Sequence, residues 1–193
     1  MACILTKGTI ANCANVKAGG IKPYVQLYMY SDWRTMENGG NVVKDAAGRI
    51  TAITNPVGVK AWKFEVWDES GIVLSNPLIE QEGNIDMYDH GVALSIIAND
   101  QEDRNNVDAL RVGKVVAVVL QNSGWASVYG SDQGMKLMAN NFNPQDPVQG
   151  NNIPIELKTA NNGAKETKMP CTVFDTDAAT TEALILGLDT VGV

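Results

Sequence analysis

Apolar and polar positions alternate along this chain in short runs, most with a period of two. Residues 23–31 (PYVQLYMYS) set Val25, Leu27 and Met29 on one side and Tyr24, Gln26, Tyr28 and Tyr30 on the other. That period, with this aromatic content, predicts a strand. Its tyrosine side is amphipathic and is expected to meet solvent or a neighbouring subunit. Residues 60–68 (KAWKFEVWD) alternate too. Trp62, Phe64 and Val66 are expected in the core, with Ala61, Lys63, Glu65 and Trp67 on the polar side. Residues 153–159 repeat the pattern with Ile153, Ile155 and Leu157 inward. Residues 114–121 (KVVAVVLQ) are apolar on both faces, as a strand covered on both sides should be.

One segment breaks the β rhythm. Between a strand at 91–98 (GVALSIIA) and the apolar strand at 114–121, the polar stretch NDQEDRNNVDALRVG predicts a helix over 100–112. Asn99 is placed to cap it, with Glu102 three residues on reaching back. Asp100, Glu102 and Asp103 crowd the first turn, while Arg111 and Lys114 sit at the far end, which complements the helix dipole. Gly113 is the expected left-handed stop. Val107 and Leu110 are three apart and share a narrow apolar face, suited to lying on a sheet.

The remaining segments read as turns and shorter strands. Residues 32–41 (DWRTMENGGN) have loop composition, followed by a hairpin over 42–54 around Ala46-Ala47-Gly48. Trp33 and Met36 are apolar groups in that loop, which suggests a contact surface. A weaker strand at 72–80 is broken by Asn76-Pro77, which suits an edge. Turns at 122–124 and 130–134 make a three-strand meander ending near Ala139. A long Asn, Gln and Pro loop at 140–152, a last strand at 171–174 and a closing helix at 177–186 complete the chain. Asp177 or Thr176 caps that helix and Gly187 stops it. The sum is about ten strands, one main helix and a small terminal one. The fold expected is mainly β, a sandwich or barrel with the main helix packed on the sheet. An N-terminal arm occupies 1–20, the β domain 21–175 (hairpin loop 32–48, helix 100–112) and a C-terminal tail 176–193.

Charge and chemistry narrow the function by exclusion. Fifteen basic against 22 acidic residues give a net charge of −7. Such a chain grips nucleic acid poorly, because phosphate binding depends on Lys and Arg. Three cysteines without a CxxC pair, and a single histidine, argue against zinc or a disulfide framework. Reduced thiols packed as small apolar groups are expected. No basic-then-apolar leader opens the chain and no apolar run nears the ~20 residues of a membrane helix, so a soluble protein is expected. Asp108 stands where a phosphate loop before Gly113-Lys114 needs glycine. GxGxxG, GxSxG and HExxH are absent. The acid pairs Glu80/Glu82 and Asp86/Asp89 read as solvated turn charge, and His90 as a hydrogen-bonded structural residue. Asp132 and Asp146 lack the spacing of a calcium loop. No enzyme and no cofactor are expected. Two classes stay open: a carbohydrate-binding β module with Trp33, Trp67 and Trp125 as platforms, and a structural subunit that completes its sheets in an assembly. The second accounts for more features, since open strand edges must be blunted or paired.

Four stretches then carry a resemblance. They are MACILTKGTIANCANVKAGGIKPYVQLYMY, KAWKFEVWDESGIVLSN, the strand–helix–strand run from Gly91 to Met138, and NIPIELKTANNGAKETKMP. Together they resemble the tail-tube and tail-ring virion proteins of tailed bacteriophages, especially those infecting Bacteroidetes. The likeness spans most of 1–175. The loop at 140–152 and the tail after Phe174 depart from it and leave tube, ring and connector open. The resemblance implies a tail-tube type β-sandwich or barrel that assembles with itself as a ring, six-fold in tubes or twelve-fold nearer a portal. It implies a virion protein, assembled in the host cytoplasm, that meets other tail and portal-proximal proteins, with no membrane. Double-stranded DNA would pass through the ring without specific binding. Trp33, Arg34 and Met36, with Tyr28 and Tyr30, are the expected subunit interface. Glu65, Asp68, Glu69, Glu80, Glu82 and Asp86 are the expected channel lining. An acidic bore lets duplex DNA, with one charge per ~1.7 Å, slide rather than stick.

Overall fold

The computed structural model describes residues 20–66, 71–79, 87–97, 100–140, 152–159 and 165–192. In chain order the elements are β1 (Ile21–Met29), α1 (Tyr30–Asn38), β2 (Val42–Lys44), β3 (Ile50–Ile53), β4 (Trp62–Glu65), β5 (Ile72–Ser75), β6 (Leu78–Ile79) and β7 (Met87–Tyr88). Then follow β8 (Gly91–Ile97), α2 (Gln101–Leu110), β9 (Val115–Gln121), β10 (Ala126–Tyr129), β11 (Met135–Asn140), β12 (Asn152–Thr159), β13 (Cys171–Val173) and α3 (Ala178–Leu186). The chain is mainly β, with α2 on the sheet and a short C-terminal helix, as its periodicity predicts.

Why β9 is apolar on both faces becomes plain from the two cores. Val115, Ala117 and Val119 face the first core, with Val25, Leu27, Val92, Leu94, Ile155 and Leu157. Val116, Val118 and Leu120 face the second, with Tyr24, Tyr28, Trp33, Met36, Ile50 and Ile185. Burying each valine or leucine of β9 is worth about 1.5–3 kcal/mol, so a strand used on both faces contributes twice per length.

Strand pairing runs in a circuit around the first core. β9 pairs with β1, β1 with β4, and Val66 just past β4 bridges Ile96 of β8. β8 pairs with β12, β12 with β11, and Met135 of β11 returns to Val115 of β9. Val115 also pairs with Met29, so β1 and β11 lie on opposite edges of β9. Val107 and Leu110 of α2 are buried in this core, as their spacing predicts. The second core lies on the outer face of β1, β9 and β10, extended by β13, β3 and β2, with α1 and α3 contributing to it. β13 joins β3 in parallel through Val173 and Ile50.

Several expectations are corrected. The expected loop after Met29 is helix α1, in which Trp33 and Met36 are both buried. Their i, i+3 spacing puts both on the sheet-facing side. α1 starts directly off β1 without a side-chain cap, so no start signal marks it. The tyrosine side of β1 faces neither solvent nor a neighbour, since Tyr24 and Tyr28 are buried in the second core. Trp62, expected in the core, is 51% exposed. The meander is broken after β10, because β11 leaves to pair with β12. α2 is capped by a box of Asp100 and Asp103, one residue later than expected, and Asn99 lies outside the described residues. Its C-cap residue Arg111 is still right-handed, and Gly113 has no positive φ. A Cβ there would lie 2.5 Å from the Met29 methyl carbon, the end of a flexible side chain that would have to turn aside.

Candidate functional site

The expected interface residues are mostly interior. Tyr28, Trp33 and Met36 are buried, and a side chain enclosed by its own chain cannot anchor another. Tyr28 donates its hydroxyl to Asn55 at 2.6 Å, which ties β1 to the chain beyond β3. Tyr30, half-buried, donates to the carbonyl of Asp132. Arg34 is half-exposed and joined to Glu37, which also holds Lys44. Of the expected channel residues, Glu65 is exposed and ion-paired with Lys63 at 2.6 Å. Asp68, Glu69, Glu80, Glu82 and Asp86 lie outside the described residues. The three tryptophan platforms fare no better. Trp33 is buried, Trp67 lies outside the described residues, and Trp125 stacks on Phe174 with centroids 4.7 Å apart.

What the surface does present is strand edge. The sheet runs β2-β3-β13-β10-β9-β11-β12-β8-β5, and each end strand has one partner among the described residues. β5 (IVLS) carries no charge, and its Val73 is 62% exposed. β2 exposes Val43 at 48%, but it is three residues long, shifts register between Val43 and Lys44, and ends in a lysine. Short length, a bulge and a lysine are the usual ways of blunting an edge. β5 has only shortness. Of the two ends, β5 is therefore the less blunted.

A third edge borders a groove. β4 pairs with β1 on one side, and its other side faces α2 across a groove of about 540 Å³. Leu27, Phe64, Ile96, Leu110 and Val115 supply apolar walls, with Lys63, Glu65, Asp103 and Asn106 as polar lining. Trp62 also lines it, with the Lys60 ammonium 4.3 Å over its ring. Sequence reasoning missed Trp62 as a surface group because alternation identifies two sides of a strand without saying which is covered.

Ionisable groups gather elsewhere, around the turn from Gly130 to Gly134. Asp89, expected as solvated turn charge, is largely buried: it pairs with Lys165 at 3.1 Å and accepts the Thr159 hydroxyl. Glu166 accepts the amides of Asp132 and Gln133, each at 2.9 Å, and its backbone bridges Tyr88. Lys114 donates to the carbonyl of Gln133 at 2.7 Å. His90 is buried and accepts the Gly130 amide on Nδ1 at 3.1 Å, so it is the structural residue the sequence suggested. Burial pushes its pKa down to about 4, which keeps the ring neutral. Burial raises the Glu166 carboxyl, against the two amides that favour its charge. The groove-lining residues include none of these groups. Their hydrogen bonds run to backbone and to one another, so the cluster ties the segment from Lys165 to the turn.

Among the described residues no group of three or more His, Cys, Asp or Glu is placed to hold a metal ion. No described helix is long and apolar enough to cross a membrane. A scan of protein-family models, a search of curated proteins and a search of solved structures each find no match to this chain.

Proposed function

We propose that the chain is a structural subunit of a bacteriophage tail, joining copies of itself into a ring or tube around a passage for the genome. The observation that carries this reading is the uncharged edge of β5, which has no partner on that side among the described residues, with Val73 turned outward. An apolar strand edge left unpaired in a monomer templates pairing with another chain. β5 and β2 end the sheet with different surfaces, and head-to-tail contacts between unlike surfaces close into rings. The acidic balance supports passage rather than capture of duplex DNA, and other tail and portal-proximal proteins are the further partners.

Size-exclusion chromatography with light scattering, followed by negative-stain electron microscopy, tests it. A discrete ring mass with an open centre is expected. A single-chain mass at every concentration would end the reading. The carbohydrate-binding alternative retains one observation, a hollow of about 290 Å³ lined by Gln121, Ser123, Trp125, Ser127 and Thr172. Glycan-array binding by a single-chain species would favour it.

A further inference from the structure

Among the described residues the strand circuit around the first core opens between β4 and β8. Val66 bridges Ile96, but from there back to Trp62 the chain parts from β8, and α2 takes the place of β8 across the groove. Every second residue of an antiparallel edge strand turns its N–H and C=O away from its neighbour. Among the described residues β4 has β1 alone as a ladder partner, so those groups face the groove mouth. An open backbone edge over an apolar floor calls for another extended backbone, one that places alternate apolar side chains on that floor. The site therefore takes polypeptide.

Its polar lining narrows the choice. Glu65 and Asp103 line the groove, Glu65 paired with Lys63, and on or beside the same helix Asp100, Glu102, Asp103 and Asp108 outnumber Arg104 and Arg111. Residues 1–19 (MACILTKGTIANCANVKAG), outside the described residues, hold no carboxylate. They carry Lys7 and Lys17, with Ile4, Leu5 and Ile10 as apolar groups. The rest of the chain holds all 22 acids against 13 bases, which is 15 less those two lysines. The stretch leads into Gly20, beside the far end of β4, where Pro23 accepts the Val66 amide and Tyr24 pairs with Glu65.

We propose that the β4–α2 groove accepts residues 1–19 of a neighbouring copy as an added strand on β4. This rests on the assembly reading above and adds a second contact to that of the β5 edge: one surface gives a segment, a different one receives it, as a closed ring requires. In this arrangement Glu65 belongs to a subunit contact rather than to the bore.

The test uses full-length protein. Leu5→Asp spoils the segment, and Ala109→Arg, at an exposed α2 position lining the groove, blocks the receiving site. Light scattering should show both variants needing at least about tenfold more protein to assemble than wild type, with circular dichroism unchanged. A fluorescein-labelled peptide of residues 1–19 should bind the Leu5→Asp protein, by anisotropy, and not the Leu5→Asp/Ala109→Arg protein. If wild type assembles but the variants do so equally well, or the peptide does not bind, the inference fails and the assembly reading stands. If wild type stays a single chain, both fall.

Discussion

The ring of Trp33 lies 5.6 Å from that of Tyr28, tilted 55° to it, and both are buried. This contact fixes α1 to the outer face of β1, and it makes Trp33 a core residue rather than an anchor for another subunit. Trp33→Ala should therefore cost about 3–5 kcal/mol of folding stability, the range for removing a large buried aromatic. Urea unfolding followed by circular dichroism reads this directly. A variant with wild-type stability that merely fails to assemble would return Trp33 to the surface.

His90 makes stability depend on pH. Its folded pKa of about 4 lies below the ordinary 6.5, so between these values the unfolded chain binds the extra proton. Stability from this group is whole above pH 6.5 and falls as pH drops toward 4, by an amount on the order of 3 kcal/mol. Glu166 works in the opposite sense: its raised folded pKa makes its ionised form a growing burden as pH climbs past its ordinary 4.5. His90→Gln retains an acceptor for the Gly130 amide but no titrating ring. Its urea midpoint should stay flatter than that of wild type between pH 4 and 6.5. Parallel curves would show that His90 titrates normally in the folded protein.

Asp100 accepts the Asp103 amide at 3.0 Å while the Asp103 carboxylate reaches back to the Asp100 amide. Asp100→Ala leaves amides of the first turn without that acceptor and should cost about 1 kcal/mol, with Asp100→Asn retaining most of the stability. Guanidinium denaturation of the two variants separates cap loss from a general effect of charge.

Val73→Lys places a charge on the open edge of β5. Substitution at an exposed site away from special features moves stability by less than about 0.5 kcal/mol. Assembly, if it uses this edge, should fail. Unchanged melting with loss of the ring mass is the expected pair of results, and a ring that survives the lysine would move the contact to another surface.

How far the sequence could be read depended on how one-sided its patterns were. β12 alternates Ile153, Ile155 and Leu157 inward against Pro154, Glu156 and Lys158, and its burial follows that alternation. β9 and the α2 pair Val107 and Leu110 were equally legible, because their covered faces are chemically unlike their flanks or have no flanks at all. β1 was legible as a strand but not in its surroundings, since tyrosines suit water and core alike. α1 was hidden by polar residues of loop type and by a missing cap, although Trp33 and Met36 at i, i+3 were a sign of it. The partnering of β11 with β12, and of β13 with β3, depends on contacts between distant segments that no local pattern encodes. For the candidate site, the taste for open edges was readable from Pro77 and the short strands. The groove was not, because it is made where β4, α2 and β8 meet.

β9 forms part of both cores, and this has a consequence for how the molecule comes apart. Neither half can melt while the other persists, because opening one strips its shared wall of partners on that side. Heating should therefore give a single sharp transition by every probe, and the amides of residues 116–120 should exchange with deuterium last of all.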